Sequence, residues 1–206
     1  MFRRLRLWRN RKQPVYVVAG FQRSGTTMMM RALEAGGLKV DRAPASDPRH
    51  DDYELGAEAY ASVTHEAVLN YENGDDEADV RFPRAHRGRL IKVLVGGVQH
   101  LYPQQHGIVC VFMHRDWESI SASYEARNGI RPRRDWAEKA IAKELSRWRG
   151  REDVRLFELL YSSVILDPTA AFECLKDFEF PIRNVSRASV TIDPPEYPSI
   201  VTAVSA

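Results

Sequence analysis

Apolar residues along this chain fall into short compact runs separated by longer amphipathic stretches. Val15, Tyr16, Val17 and Val18 open the pattern with the β-branched and aromatic composition of a short buried strand. A second run, 90–95, reads LIKVLV and ends at Gly96-Gly97; a third, 108–113, reads IVCVFM and is uniformly apolar, as strands covered on both faces are. A fourth strand is expected over 153–160. Helices are expected between these runs. Residues 28–35 contain no Pro or Gly and stop at Gly36-Gly37; 57–71 reads as a helix, with Leu55, Ala59, Val63, Ala67 and Tyr71 recurring every four residues. Further helical stretches are 98–102, 117–127 with Asp116 as N-cap, 131–149, and 168–178 with Pro168 in its first turn. The segments 40–52 and 72–88 read as loops, the latter turning at Asn73-Gly74, and the chain from Pro181 reads as irregular or β-like. Strands alternating with helices predict an α/β fold, a three-layer α/β/α arrangement around a central parallel sheet.

Composition narrows the class without naming a function. At 206 residues, with 44% hydrophobic and 28% charged residues, the chain reads as one globular domain over 14–206 preceded by a basic tail over 1–13. A net charge of +2 makes no demand for nucleic acid as a partner. Cys110 and Cys174 both sit in apolar surroundings and read as reduced core thiols. No apolar run approaches the roughly 20 residues of a membrane span, and no long apolar stretch follows the initial charges as in a signal peptide, so a cytoplasmic location is expected. The tail MFRRLRLWRNRKQ interleaves cations with Phe2, Leu5, Leu7 and Trp8; it reads as a solvated segment, with peripheral membrane contact as the functional alternative.

The chemistry concentrates between the first strand and the first helix. Gly20-Phe21-Gln22-Arg23-Ser24-Gly25-Thr26-Thr27 is a glycine-bounded loop in the position of a phosphate cradle, where backbone N–H groups and a helix N-terminus meet an anion. The pattern departs from the nucleotide-binding loop G-x-x-x-x-G-K-S/T at one place: Thr26 stands where the Lys should be. That Lys serves the β- and γ-phosphates in kinases and hydrolases, so its loss weighs against them; the loop cation is Arg23 instead.

Arg23-Ser24-Gly25-Thr26-Thr27 resembles the 5′-phosphosulfate loop of the sulfotransferase family, with Gln22 where the family often has Pro. The resemblance implies a P-loop NTPase-like sulfotransferase fold, and 3′-phosphoadenosine 5′-phosphosulfate as cofactor, released as adenosine 3′,5′-bisphosphate. It extends to VFMHRDWESISASY, where Arg115 leaves the third strand and Ser123 follows at the family's offset for the pair that holds the 3′-phosphate. A planar guanidinium fork with a helix-borne hydroxyl suits that anion. Ser119 and Ser121 compete for the hydroxyl role, and Arg115 has a structural alternative in an ion pair with Asp116 or Glu118. Tyr161 to Pro168 resembles a shared scaffold region in which Ser162-Ser163 replace an acidic pair. The family's carboxyl-terminal glycine-rich loop is not evident; Arg183 and Arg187 are candidate substitutes.

Lys92 lies inside the second strand, where a cation needs a polar partner or a route to solvent. Cytosolic family members carry Lys-x-His there, with His as base; here Leu94 takes the His position. The resemblance therefore implies catalytic roles for Arg23 and Lys92 and leaves the base open. Glu54 is the first candidate, with His50, Asp51 and Asp52 as rivals and His114 as a further titratable group. The cofactor site would comprise Arg23, Ser24, Gly25, Thr26, Thr27, Arg115 and Ser123. No metal is expected, since no His/Cys set has zinc spacing. The implied reaction transfers a sulfuryl group to a hydroxyl or amine of a small-molecule, glycan or lipid acceptor, with no nucleic-acid partner. The acceptor would be lined by 40–88 and the helix over 128–150. A P-loop kinase or hydrolase, and a non-catalytic nucleotide-binding relative, are the alternatives.

Overall fold

The computed structural model describes residues 13–41, 87–95 and 107–192. The tail over 1–12, the helices expected over 57–71 and 98–102, and Glu54, His50, Asp51 and Asp52 lie outside the described residues. Four strands and six helices are described: β1 (Val15–Gly20), α1 (Thr26–Ala35), β2 (Leu90–Leu94), β3 (Ile108–His114), α2 (Trp117–Asn128), α3 (Arg134–Trp148), β4 (Val154–Leu160), α4 (Tyr161–Leu166), α5 (Pro168–Asp177) and α6 (Val185–Ser189). The strands form one parallel sheet in the order β2-β1-β3-β4.

The alternation of side chains along each strand builds two separate cores. On one face Val18, Leu90, Val109, Val111 and Met113 pack against Met29, Met30 and Leu33 of α1, Phe172 and Leu175 of α5, and Val185 and Ala188 of α6. On the other, Val17, Ala19, Ile91, Val93, Cys110 and Phe112 pack against Leu145 and Trp148 of α3. Helices on both faces make the molecule a three-layer α/β/α structure, as the alternation of strands and helices predicts. β1 lies between β2 and β3, so the chain leaves β1 for one side of the sheet and returns to the other. The crevice of such folds opens at the carboxyl end of the strands where this reversal occurs.

Local signals account for most boundaries. Asp116 caps α2 by accepting from the Ser119 N–H at 2.8 Å, and Asp167 caps α5 from the Ala170 N–H at 2.9 Å, with Pro168 in the first turn. Three expectations are corrected. Residues after Pro181 are not all irregular or β-like: Val185–Ser189 is a short helix, started by the Asn184 side chain accepting from the Arg187 N–H at 2.9 Å. Residues 161–166, expected only as scaffold, form α4 directly at the end of β4. Cys110 is buried and reduced, and burial raises its thiol well above the ordinary range, but Cys174 is exposed and is no core thiol.

Phe172 is fully buried in the larger core. Phe172→Ala is expected to cost about 3–5 kcal/mol, a large part of the stability of a domain this size, read as a lower urea midpoint at unchanged slope.

Candidate active site

The loop 21–25 connects β1 to α1 at the carboxyl edge of the sheet, and its shape depends on two missing Cβ atoms. A Cβ on Gly20 would stand 2.5 Å from Ser24 Oγ and 2.9 Å from the Met113 carbonyl oxygen. Gly25 has φ 96°, in the left-handed region, and a Cβ there would stand 2.5 Å from the Tyr161 ring. Arg23 also lies in the left-handed region, at φ 68°, a conformation uncommon outside glycine. Its carbonyl accepts from Arg115 Nη1 at 3.1 Å, which ties the turn to the end of β3.

Three basic side chains meet here: Arg23 from the loop itself, Lys92 from β2 and Arg115 from just beyond β3. Arg23 Nε donates to Ser123 Oγ on α2 at 2.9 Å. Arg115 lays its guanidinium over the Tyr161 ring, 4.3 Å from the centroid. Lys92 is 3% exposed and faces α1, where its Nζ donates to Thr27 Oγ1 at 2.9 Å. The strand lysine does not snorkel to solvent; it reaches a hydroxyl in the first turn of α1. Arg115 likewise departs from the expected structural alternative, since its described contacts are the Arg23 carbonyl and Tyr161. The carboxylate of Asp116 is opposed by partial burial but held below its ordinary value by Ser119 hydrogen bonds and the Arg115 charge.

Two buried polar atoms in this region have no hydrogen-bond partner, Ser24 Oγ and Arg115 Nε. Buried groups of this kind are rare and costly. The arrangement can receive an extended polyanion: Arg115 and Ser123 at one part of the cradle, Lys92, Thr27 and the α1 N-terminus at another, and the Ser24–Thr27 backbone between them. Thr26, where a nucleotide-binding loop would carry Lys, is 3% exposed and packs inward.

The structure thus brings together Arg23, Ser24, Gly25, Thr26, Thr27, Lys92, Arg115 and Ser123 and adds Tyr161, which supports both Gly25 and Arg115. Only a long-range contact reveals that role. Arg183 and Arg187 are elsewhere: the Arg183 and Asn184 N–H groups donate to the Gly36 carbonyl, at the opposite end of α1 from the loop. His114 is held by Glu158, with Nε2 and Oε2 2.9 Å apart, and its ring packs on Phe112. Its neighbours commit it to the β3–β4 side, on the sheet face opposite Lys92. Among the described residues no three His, Cys, Asp or Glu groups stand together as a metal site, and no helix is long and apolar enough to cross a membrane.

No family model matches the chain, and no curated protein matches it. Among solved structures it is similar to a sulfotransferase domain from the Synechococcus PCC 7002 olefin synthase, with 15% identity and a TM-score of 0.46 over 82% of this chain and 74% of that one. A sulfotransferase domain from the curacin biosynthetic pathway is similar at 12% identity and a TM-score of 0.45, over 89% and 84% of the two chains. A sugar kinase from Janibacter is similar at 12% identity and a TM-score of 0.37, over 82% and 99%. The site's activity has to be read from its own residues.

Glu158 gives the edge of this site a pH dependence. Burial opposes its ionisation, but hydrogen bonds from Arg149, at 2.7 and 2.8 Å, and from His114 hold its pKa below the ordinary value. A carboxylate depressed in the folded state contributes stability above its unfolded pKa and loses it as pH falls through the folded value. Acid titration of the urea midpoint below about pH 4 should therefore show a shallower loss in Glu158→Gln than in the parent protein. An equal loss in both contradicts the assignment.

Proposed function

We propose that the protein is a sulfotransferase that takes 3′-phosphoadenosine 5′-phosphosulfate as donor and transfers its sulfuryl group to a hydroxyl or amine of an acceptor. The observation that carries this reading is the convergence of three cations on the loop and first helical turn after β1: Arg23 to Ser123, Arg115 to the Arg23 carbonyl, and Lys92 to Thr27. A donor with two anionic groups fits a loop at which three cations and several hydroxyls gather.

When bound, the donor supplies an activated sulfuryl group on its 5′-phosphate. The chain's own residues then bind and orient. The Ser24–Thr27 backbone and the α1 N-terminus receive the 5′-side anion, and Lys92 with Thr27 offers charge and a hydroxyl where negative charge builds up during transfer. Arg23 adds positive charge to a loop that has no acidic residue. Arg115 and Ser123 hold the 3′-phosphate, with the Tyr161 ring fixing the guanidinium plane. Such chemistry is mainly positioning and charge stabilisation, and it asks for no metal. The acceptor's proton needs a base, for which Glu54 is the first candidate and His50, Asp51 and Asp52 the rivals; His114 is engaged with Glu158 and does not serve.

Calorimetric titration of Arg115→Ala with adenosine 3′,5′-bisphosphate tests the reading. A charge-assisted contact of about 1.5–3 kcal/mol corresponds to an affinity loss of roughly ten- to a hundredfold. Unchanged affinity would remove Arg115 from the site. Tight binding by the parent protein without turnover across a broad acceptor panel would instead identify a non-catalytic binding relative.

A further inference from the structure

The hydrogen bond between Arg23 and Ser123 can run in one direction only. A guanidinium carries donors and no acceptor, so Arg23 Nε donates and Ser123 Oγ accepts, at 2.9 Å. A hydroxyl whose oxygen is engaged by a cation still has its own proton to donate. Among the described residues nothing in the fold receives that proton. Ser123 does not turn back on a carbonyl of its own helix, as Ser146 in α3 does when it donates to the Lys143 carbonyl at 2.8 Å.

The groups around Ser123 are donors as well. Arg115 sets Nη1 on the Arg23 carbonyl at 3.1 Å, which engages that oxygen, and lays its plane on the Tyr161 ring. Lys92 repeats the pattern from β2, its ammonium donating to Thr27 Oγ1 at 2.9 Å. The loop over 20–27 has no acidic residue. Asp116, beside Arg115 in the chain, accepts from the Ser119 N–H at 2.8 Å as the cap of α2. His114, on the other side of Arg115 in the chain, is turned to Glu158. Among the described residues, Arg115 and Ser123 therefore meet a ligand with N–H and O–H groups.

A subsite of donors sorts oxyanions by whether they carry a proton. A phosphate monoester dianion, like a sulfate, presents acceptors throughout. The phosphate monoanion keeps one P–O–H, and that hydroxyl needs an acceptor which a guanidinium cannot be. The remaining lone pair of Ser123 Oγ is a poor one, beside two guanidinium charges. We infer that the Arg115–Ser123 subsite takes a fully ionised oxyanion, a phosphate dianion or a sulfate, and that Ser123, held as a donor by Arg23, is the residue that turns away the phosphate monoanion. This rests on the sulfotransferase reading for placing a 3′-phosphate here, and not for the direction of the hydrogen bonds.

Calorimetric titration of the full chain with adenosine 3′-phosphate at pH 8 and pH 5 tests the inference. Adenosine 5′-phosphosulfate, whose oxyanions do not titrate in that range, is the control for changes in the protein itself. The second ionisation of a phosphate monoester lies at about pH 6, so the dianion is roughly a tenth of the ligand at pH 5. The parent protein should bind adenosine 3′-phosphate about tenfold more weakly at pH 5 than at pH 8, and the phosphosulfate equally at both. Ser123→Ala makes room for a water that can accept; it should bind more weakly at pH 8 but lose only about threefold or less on going to pH 5. Ser123→Asn, which offers a carbonyl in place of the hydroxyl, repeats the test should the alanine variant fold poorly. Equal affinity of the parent at the two pH values, a parallel loss with the phosphosulfate, or the same tenfold loss in Ser123→Ala overturns the inference. No binding of adenosine 3′-phosphate at pH 8 overturns it together with the subsite. The expected pH profile in a protein that ignores the phosphosulfate would keep the inference and overturn the donor assignment alone.

Discussion

The close approach of Tyr161 to Gly25 is the constraint on which the site depends. Tyr161 begins α4 at the end of β4, and its ring fills the space that any side chain at position 25 would need. The other use of that ring is to carry the guanidinium of Arg115, which in turn holds the Arg23 carbonyl in its left-handed turn. One aromatic ring thus connects the ends of β4 and β3 to the loop after β1. Interactions of this kind hold the loop in one shape before any ligand arrives.

Lys92 sets the opposite wall under a different constraint. A strand position next to the central strand buries its side chain, and an ammonium withdrawn from water needs hydrogen bonding. Thr27 provides it from the first turn of α1, which makes the second threonine of the loop structural in the ligand-free protein and available to a ligand when one binds. The sheet order serves both walls, because β2 and β3 flank β1 and deliver Lys92 and Arg115 to either side of the same loop.

Much of this was legible in the sequence, for physical reasons that differ between elements. The apolar runs of β2 and β3 and the glycine punctuation around α1 are local signals, and local signals carried the α/β class. Arg115 and Ser123 were singled out by the resemblance of VFMHRDWESISASY to the family's pair, and the structure brings both against Arg23 of the loop. Tyr161 was legible only as scaffold, since its contact with Gly25 crosses nearly the whole fold. The short helix Val185–Ser189 was hidden by its length, although Asn184 is a good N-cap. Cys174 misled because its apolar neighbours Phe172 and Leu175 face the core while Cys174 itself faces outward on α5. The ring contacts of Phe21 were invisible in the same way: Phe21, Trp117 and Trp136 are brought together only by the packing of α2 and α3 beside the loop.

The central claim is that this cradle reads a nucleotide with a 3′-phosphate, without a metal, in place of a triphosphate. Calorimetric titration of the parent protein with adenosine 3′,5′-bisphosphate, set against ADP and against ATP with Mg²⁺, tests it most directly. The account predicts tight binding of the bisphosphate, unaffected by chelation of metal, and weaker binding of the other two. Preference for ATP with Mg²⁺ would contradict it and move the protein to the kinases and hydrolases, with Arg115 reduced to a structural residue.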